Sequence, residues 1–159
     1  MDVVRSDRRR VMLGATALSA TALSTVALAS ILLPKAALAT PQAAAELLRK
    51  LVKGAPRQGR VVLQAAEIAE NGNSVPLTVT VESPMTEADH VTAIHVVSGA
   101  NPNPGVVSVR LGPPNGKAEI SLRIRLAETE KVIAVAEMSD GSVWIGSREV
   151  AVTVGGCGG

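Results

Sequence analysis

The sequence predicts an all-β fold: an antiparallel β-sandwich of about seven short strands, preceded by a short helix and followed by a glycine-rich C-terminal arm. Three observations predict it. Apolar residues recur at every second position through most of the chain after residue 60, the breaks between these runs carry Gly, Pro and Asn, and no helical period intervenes there. The 159 residues suit one compact domain. Its core must be built of Val, Ile, Leu and Ala, because Trp144 is the single aromatic side chain.

Residues 1–39 read as a leader. Asp7-Arg8-Arg9-Arg10 places paired arginines just before an uncharged run from Val11 to Leu33. Twin arginines ahead of an apolar segment are the pattern of a twin-arginine (Tat) export signal. The run is long enough to span a bilayer, but Gly14, Thr16, Ser19, Thr21, Ser24, Thr25 and Ser30 dilute it, whereas stable anchors are richer in Leu, Ile and Phe. Ala37-Leu38-Ala39 supplies the small-x-small pattern that a signal peptidase reads. Cleavage after Ala39 would leave 120 residues in the periplasm of a Gram-negative cell, with no membrane attachment. The leader carries a net +3 of the chain's +2, so the remainder sums to −1. That remainder has neither the basic field nor the aromatic platforms that nucleic acid needs.

Residues 40–154 read as the folded domain. Thr40 can cap a helix over 41–53 that opens on Pro41, a residue with no N–H to leave unpaired in the first turn. Ala44, Leu47, Leu48, Leu51 and Val52 form one apolar stripe, and Gly54 is placed to end the helix. Such a stripe packs on its own domain or docks on a partner chain. Strands are predicted near 61–68, 76–82, 91–98, 106–111, 118–126, 131–138 and 142–154. The alternation is plainest where Ala118, Ile120, Leu122, Ile124 and Leu126 interleave with Glu119, Ser121, Arg123 and Arg125. Leu77, Val79 and Val81 show it against Thr78 and Thr80; Val107, Val109 and Leu111, then Val150, Val152 and Val154, repeat it. Asn71-Gly72-Asn73, Asn101-Pro102-Asn103-Pro104-Gly105, Pro113-Pro114-Asn115-Gly116 and Asp140-Gly141 carry the positive or fixed φ that tight reversals need. Short alternating strands without helices between them point to a sandwich of immunoglobulin-like type.

The chemistry lies in the tail, Gly155-Gly156-Cys157-Gly158-Gly159. The lone cysteine excludes an internal disulfide framework and a multi-cysteine zinc site. Four glycines around it give minimal shielding and wide backbone freedom, and five extended residues span roughly 16–18 Å. The arm over 155–159 is therefore expected to be mobile, with Cys157 held ~10 Å beyond the last strand. An unactivated thiol is only a few per cent thiolate near neutrality, and no His, Lys or Arg accompanies it in the tail. His90 and His95 lie far upstream, at a spacing that sends them to opposite faces of a strand. Glu67, Glu70, Glu82, Glu128 and Glu130 read as solvated surface, and no paired-acid site, metal cluster or phosphate-binding loop stands out. A mobile, unactivated thiol suits a carrier whose substrate is held covalently and worked on by other enzymes, so neither catalytic residues nor a cofactor are expected in this chain.

The terminal pentapeptide closely resembles the substrate arm of SoxY, the sulfur-carrying subunit family of the bacterial thiosulfate-oxidising Sox system, without departure from the motif. The resemblance continues through Glu67-Ile68-Ala69-Glu70-Asn71-Gly72-Asn73, Val75-Pro76, Ser83-Pro84-Met85, Asn101-Pro102-Asn103-Pro104, Ile124-Arg125-Leu126-Ala127 and Ala134-Val135-Ala136-Glu137-Met138-Ser139-Asp140-Gly141. It implies a periplasmic subunit that pairs with SoxZ, a second small β-sandwich, and uses Cys157 as its covalent attachment site. It further implies a c-type haem enzyme that conjugates thiosulfate to the thiol, a hydrolase that releases sulfate and, where present, a sulfane dehydrogenase.

The alternative is a secreted structural or interaction β-sandwich whose lone cysteine forms an intermolecular disulfide. It accounts for the Cys but leaves the four glycines idle, since a structural crosslink gains from stiffness. A carrier acting through a Gly158-Gly159 thiocarboxylate sits poorly with an export leader, and a thiol enzyme lacks a base in the tail.

Overall fold

The computed structural model describes residues 41–156. The predicted leader, the Thr40 cap, and Cys157, Gly158 and Gly159 lie outside the described residues.

Helix α1 runs Pro41–Leu51 and ends on Arg49 and Lys50, whose charge suits the carbonyl end of a helix. It is shorter than the expected 41–53, although Val52 still donates its N–H to Leu48 O at 3.0 Å. Nine strands follow among the described residues. They are β1 Arg57–Gln58, β2 Val61–Ala65, β3 Ile68–Asn71, β4 Val75–Val81, β5 Val91–Ser98, β6 Gly105–Arg110, β7 Glu119–Ile124, β8 Glu130–Met138 and β9 Val143–Val154. One sheet holds β1-β9-β8-β5-β6, with β3 also paired to β9; the other holds β2-β4-β7.

The expected seven strands become nine for two reasons. The single run predicted over 61–68 is divided, because β2 pairs antiparallel with β4 whereas β3, two residues later, pairs parallel with the end of β9. Alternation reports which face a side chain occupies and is silent about which sheet supplies the backbone partner. The two-residue β1, Arg57–Gln58, carries no alternation at all; it is fixed by parallel pairing to Trp144 and Ile145. The sandwich is thus antiparallel except for two short parallel pairs, both on β9.

The two sheets close over one core. Leu77, Val79 and Val81 of β4, Ile124 of β7, Ile94 and Val96 of β5 and Ala134 and Ala136 of β8 all face it. On the solvent face, Thr78 meets Ser121 at 3.0 Å and Thr80 donates to Glu119 at 3.3 Å, cross-strand pairs that hold the register. The helix stripe is satisfied within the chain: Ala44, Leu48 and Val52 cover Val97, Val135 and Val143 on the outer face of the larger sheet. Strand β5 is therefore buried on both sides, which is why its sequence reads as a nearly unbroken apolar run.

The turns divide by mechanism. Gly116 and Gly141 sit at φ 71° and 80°, as expected of tight reversals. Beside Gly141, the Ser142 side chain and backbone hold the Asp140 carboxyl below its usual range. Gly72 and Gly105 have no positive φ, contrary to expectation; Gly72 is needed for close approach of backbone to backbone instead.

Leu77 is 1% exposed at the centre of the sandwich, so Leu77→Ala is expected to cost about 2–5 kcal/mol. Urea unfolding measures it, and an unchanged midpoint would contradict this core.

Candidate functional site

Strand β9 carries the chain out of the sandwich towards the cysteine. Val143 to Val150 pair with β8; Ala151 to Val154 run past the end of β8 and pair with β3. Leaving the core exposes the last alternating position: Val154 is 61% exposed, against an expectation that it faces inward with Val150 and Val152.

Beyond Val154 the backbone stays tied to the body. The Gly72 N–H donates to Val154 O at 2.8 Å, the Leu126 N–H donates to Gly72 O at 2.8 Å, and the Gly156 N–H donates to Leu126 O at 2.9 Å. These three bonds clasp the root of the arm between the β3–β4 turn and the segment after β7. Such proximity tolerates no side chain. A Cβ on Gly72 would stand 2.2 Å from Leu126 O, one on Gly155 2.1 Å from Ala127 O, and one on Gly156 2.9 Å from Gly72 O. All three obstacles are backbone carbonyls, which cannot rotate aside.

This corrects the expectation for the first half of the arm. Gly155 and Gly156 are glycine because backbone passes backbone there, and Gly156 is buried with its amide bonded. The next residue is Cys157, which follows directly on an anchored amide rather than on a length of free chain; it and Gly158 and Gly159 are outside the described residues.

The segment that receives Gly156 is itself held. Asn101 donates Nδ2–H to Arg125 O at 2.7 Å and accepts the Ala127 N–H on Oδ1 at 2.9 Å, bracketing Leu126. Asn101 N–H donates to Ser98 Oγ at 3.2 Å, and Glu130 Oε2 accepts both the Ser98 hydroxyl and the Ala100 N–H. Glu130 is 6% exposed, so its reading as solvated surface is corrected. It heads β8, opposite the loop after β5, and takes donors that would otherwise be orphaned. Asn101, Leu126 and Gly72 were not read as site residues, although the signals lay in Asn101-Pro102-Asn103-Pro104 and Asn71-Gly72-Asn73, which local spacing presents only as turns.

The histidines belong elsewhere. His90 precedes β5 with Nδ1 3.0 Å from Thr86 O. His95 lies within β5, with Nδ1 2.8 Å from Ser108 Oγ and Nε2 3.6 Å from Glu137. Among the described residues no group of three or more His, Cys, Asp or Glu is placed to hold a metal ion, and no helix is long and apolar enough to cross a membrane.

The family model "Sulfur oxidation protein SoxY" matches residues 48–157, a span that runs from the helix to the cysteine. The chain belongs to the SoxY family. Among solved structures, this SoxY chain is similar to the sulfur carrier protein SoxY from Chlorobium limicola f. thiosulfatophilum, with 32% identity over 72% of this chain and 100% of that one, at a TM-score of 0.61. It also shares its fold with a superoxide reductase (neelaredoxin) from Ignicoccus hospitalis, at 17% identity over 59% of this chain and 80% of that one and a TM-score of 0.53. A putative superoxide reductase from Thermotoga maritima matches at 19% identity over 61% of this chain and 93% of that one, with a TM-score of 0.52. No curated protein matches the chain. The family assignment and the sandwich agree with the resemblance carried by the sequence motifs.

Because a Cβ on Gly155 meets a fixed carbonyl, Gly155→Ala is expected to cost about 1–3 kcal/mol of stability. A urea midpoint equal to wild type would show that the root of the arm is not held in this way.

Proposed function

We propose that the chain is the sulfur-carrier subunit of a thiosulfate-oxidising Sox system, with Cys157 as the covalent attachment site. The observation that carries this reading is positional. The single cysteine of the chain is the last residue of the SoxY family match, and it follows immediately on Gly156, whose amide the domain holds. The similarity to a solved sulfur carrier protein supports it.

In this reading the thiol and thiosulfate are joined by a two-electron oxidation. The Cys157 thiol would lose its proton and a bond would form between Sγ and the sulfane sulfur, with the two electrons taken up by a c-type haem partner enzyme as electron acceptor. Water then cleaves the terminal S–S bond in a hydrolase, releasing sulfate and protons and leaving a persulfide on Cys157. A sulfane dehydrogenase, where present, would take six electrons from that outer sulfur while three waters supply its oxygens, leaving a cysteine S-sulfonate, and a second hydrolysis would release sulfate and restore the thiol. The chain contributes no acid, base or metal to these steps. Its own part is to hold the sulfur and to present it, which makes it a carrier rather than an enzyme.

The partner set follows: a SoxZ-type β-sandwich in a heterodimer, and the conjugating, hydrolysing and dehydrogenating enzymes in turn. The apolar stripe of α1 is used within the chain, so the partner surface lies elsewhere. Residues 1–39 serve as a Tat signal, cleaved after Ala39, and place the carrier in the periplasm. Mass analysis of the exported chain is expected to show Thr40 as its first residue; a retained leader would contradict that assignment.

Cys157→Ser is expected to abolish thiosulfate-dependent turnover by the reconstituted partner enzymes while leaving the urea midpoint unchanged. Retained turnover would overturn the carrier reading. Loss of turnover explained by a Cys157-linked dimer, with no sulfur adduct on the wild type, would favour a structural disulfide instead.

A further inference from the structure

We propose that Asn101 is a positioning residue for the carrier arm: it holds the bend at Arg125–Ala127 so that the Leu126 carbonyl is aimed at the Gly156 amide, and thereby fixes the residue that precedes Cys157 in the chain. This rests on the carrier reading for its consequence in loading, but not for its geometry.

The geometry is specific to an asparagine. Arg125 offers a carbonyl and Ala127 an amide, and the Asn101 side chain supplies one donor and one acceptor to match, at 2.7 and 2.9 Å. The two bonds flank Leu126, whose side chain is fully buried and whose carbonyl has no freedom left to swing away from Gly156. Asn101 is itself 6% exposed and is oriented from behind. Its N–H is bonded to Ser98 Oγ, and the Ser98 hydroxyl donates to the buried carboxylate of Glu130. A chain of bonds therefore runs from a carboxylate inside the domain, through Ser98 and Asn101, to the backbone that grips the arm. The backbone N–H and both ends of the side-chain amide of Asn101 are engaged in this chain. A residue serving only the loop after β5 would have no reason to span to the segment after β7. The Ser98 and Glu130 end of the network is buried, so breaking a bond there leaves a buried group unpaired.

Presentation to an enzyme demands placement as well as access, since a misplacement of about 1 Å in a reacting group can cost about a hundredfold in rate. Asn101→Asp tests the role with minimal change of shape. An aspartate still accepts from the Ala127 N–H, but its other oxygen faces the Arg125 carbonyl and repels it. Three readouts on the full chain separate positioning from simple destabilisation. Loading of Cys157 by the thiosulfate-conjugating enzyme is expected to slow by about 10- to 100-fold. Reaction of Cys157 with a small aromatic disulfide reagent is expected to be unchanged, because the thiol itself is untouched. Amide exchange at Gly156 is expected to be protected in wild type and to accelerate at least tenfold in the variant.

Equal loading rates for variant and wild type would overturn the proposal, as would an unprotected Gly156 amide in the wild-type chain. That wild-type measurement decides the matter even if Asn101→Asp fails to fold. Should wild type itself not load on Cys157, the carrier reading fails. The exchange at Gly156 would still decide whether Asn101 holds the root.

Discussion

Three backbone segments meet at the root of the arm more closely than any side chain permits, and the path of the chain up to Gly156 depends on that meeting. The bonds from Gly72 to Val154, from Leu126 to Gly72 and from Gly156 to Leu126 continue the hydrogen-bonding of β9 after the sandwich has ended. They require glycine at 72, 155 and 156 because carbonyl oxygens occupy the space a Cβ would need. Strand β9 is also the strand on which both parallel pairs and the long antiparallel pairing with β8 converge. The segment leading to Cys157 is thus tethered by backbone bonds up to the residue before the cysteine.

That arrangement has an energetic consequence for a carrier. Fixing a residue of free chain costs about 1–2 kcal/mol, a cost met each time an arm is drawn into an enzyme. Gly155 and Gly156 are ordered by the body in advance, so their share is removed from every docking event. Glycine at 155 and 156 is required by close packing against backbone carbonyls.

Much of the fold was legible in the sequence. Period-two alternation located β4 and β7, whose inner and outer faces fall where Leu77, Val79, Thr78 and Thr80 indicated. The helix stripe singled out Ala44, Leu48 and Val52 as an apolar face, which packs on its own domain, and the run over 91–98 was read as a strand, which is β5. Partner choice was not legible. A four-residue strand such as β3 takes its place from the backbone of β9, and residue pattern carries no record of that. Of the candidate site, the cysteine and its glycines were visible because they are adjacent in sequence. Asn101, Leu126 and Glu130 were not, because their bonds join segments 24 to 54 residues apart and each looks locally like a turn, a core position or a surface acid.

The shared sandwich with superoxide reductases at 17% and 19% identity shows that the body by itself does not dictate the chemistry. What marks this chain is the route from β9 to a lone thiol. The most direct test is the intact mass of the protein isolated from cells that are oxidising thiosulfate, taken before and after chemical reduction. The account predicts a sulfur-containing adduct that maps to Cys157 and is lost on reduction. An unmodified thiol during active turnover, or a cysteine locked to a second chain under those conditions, would contradict it.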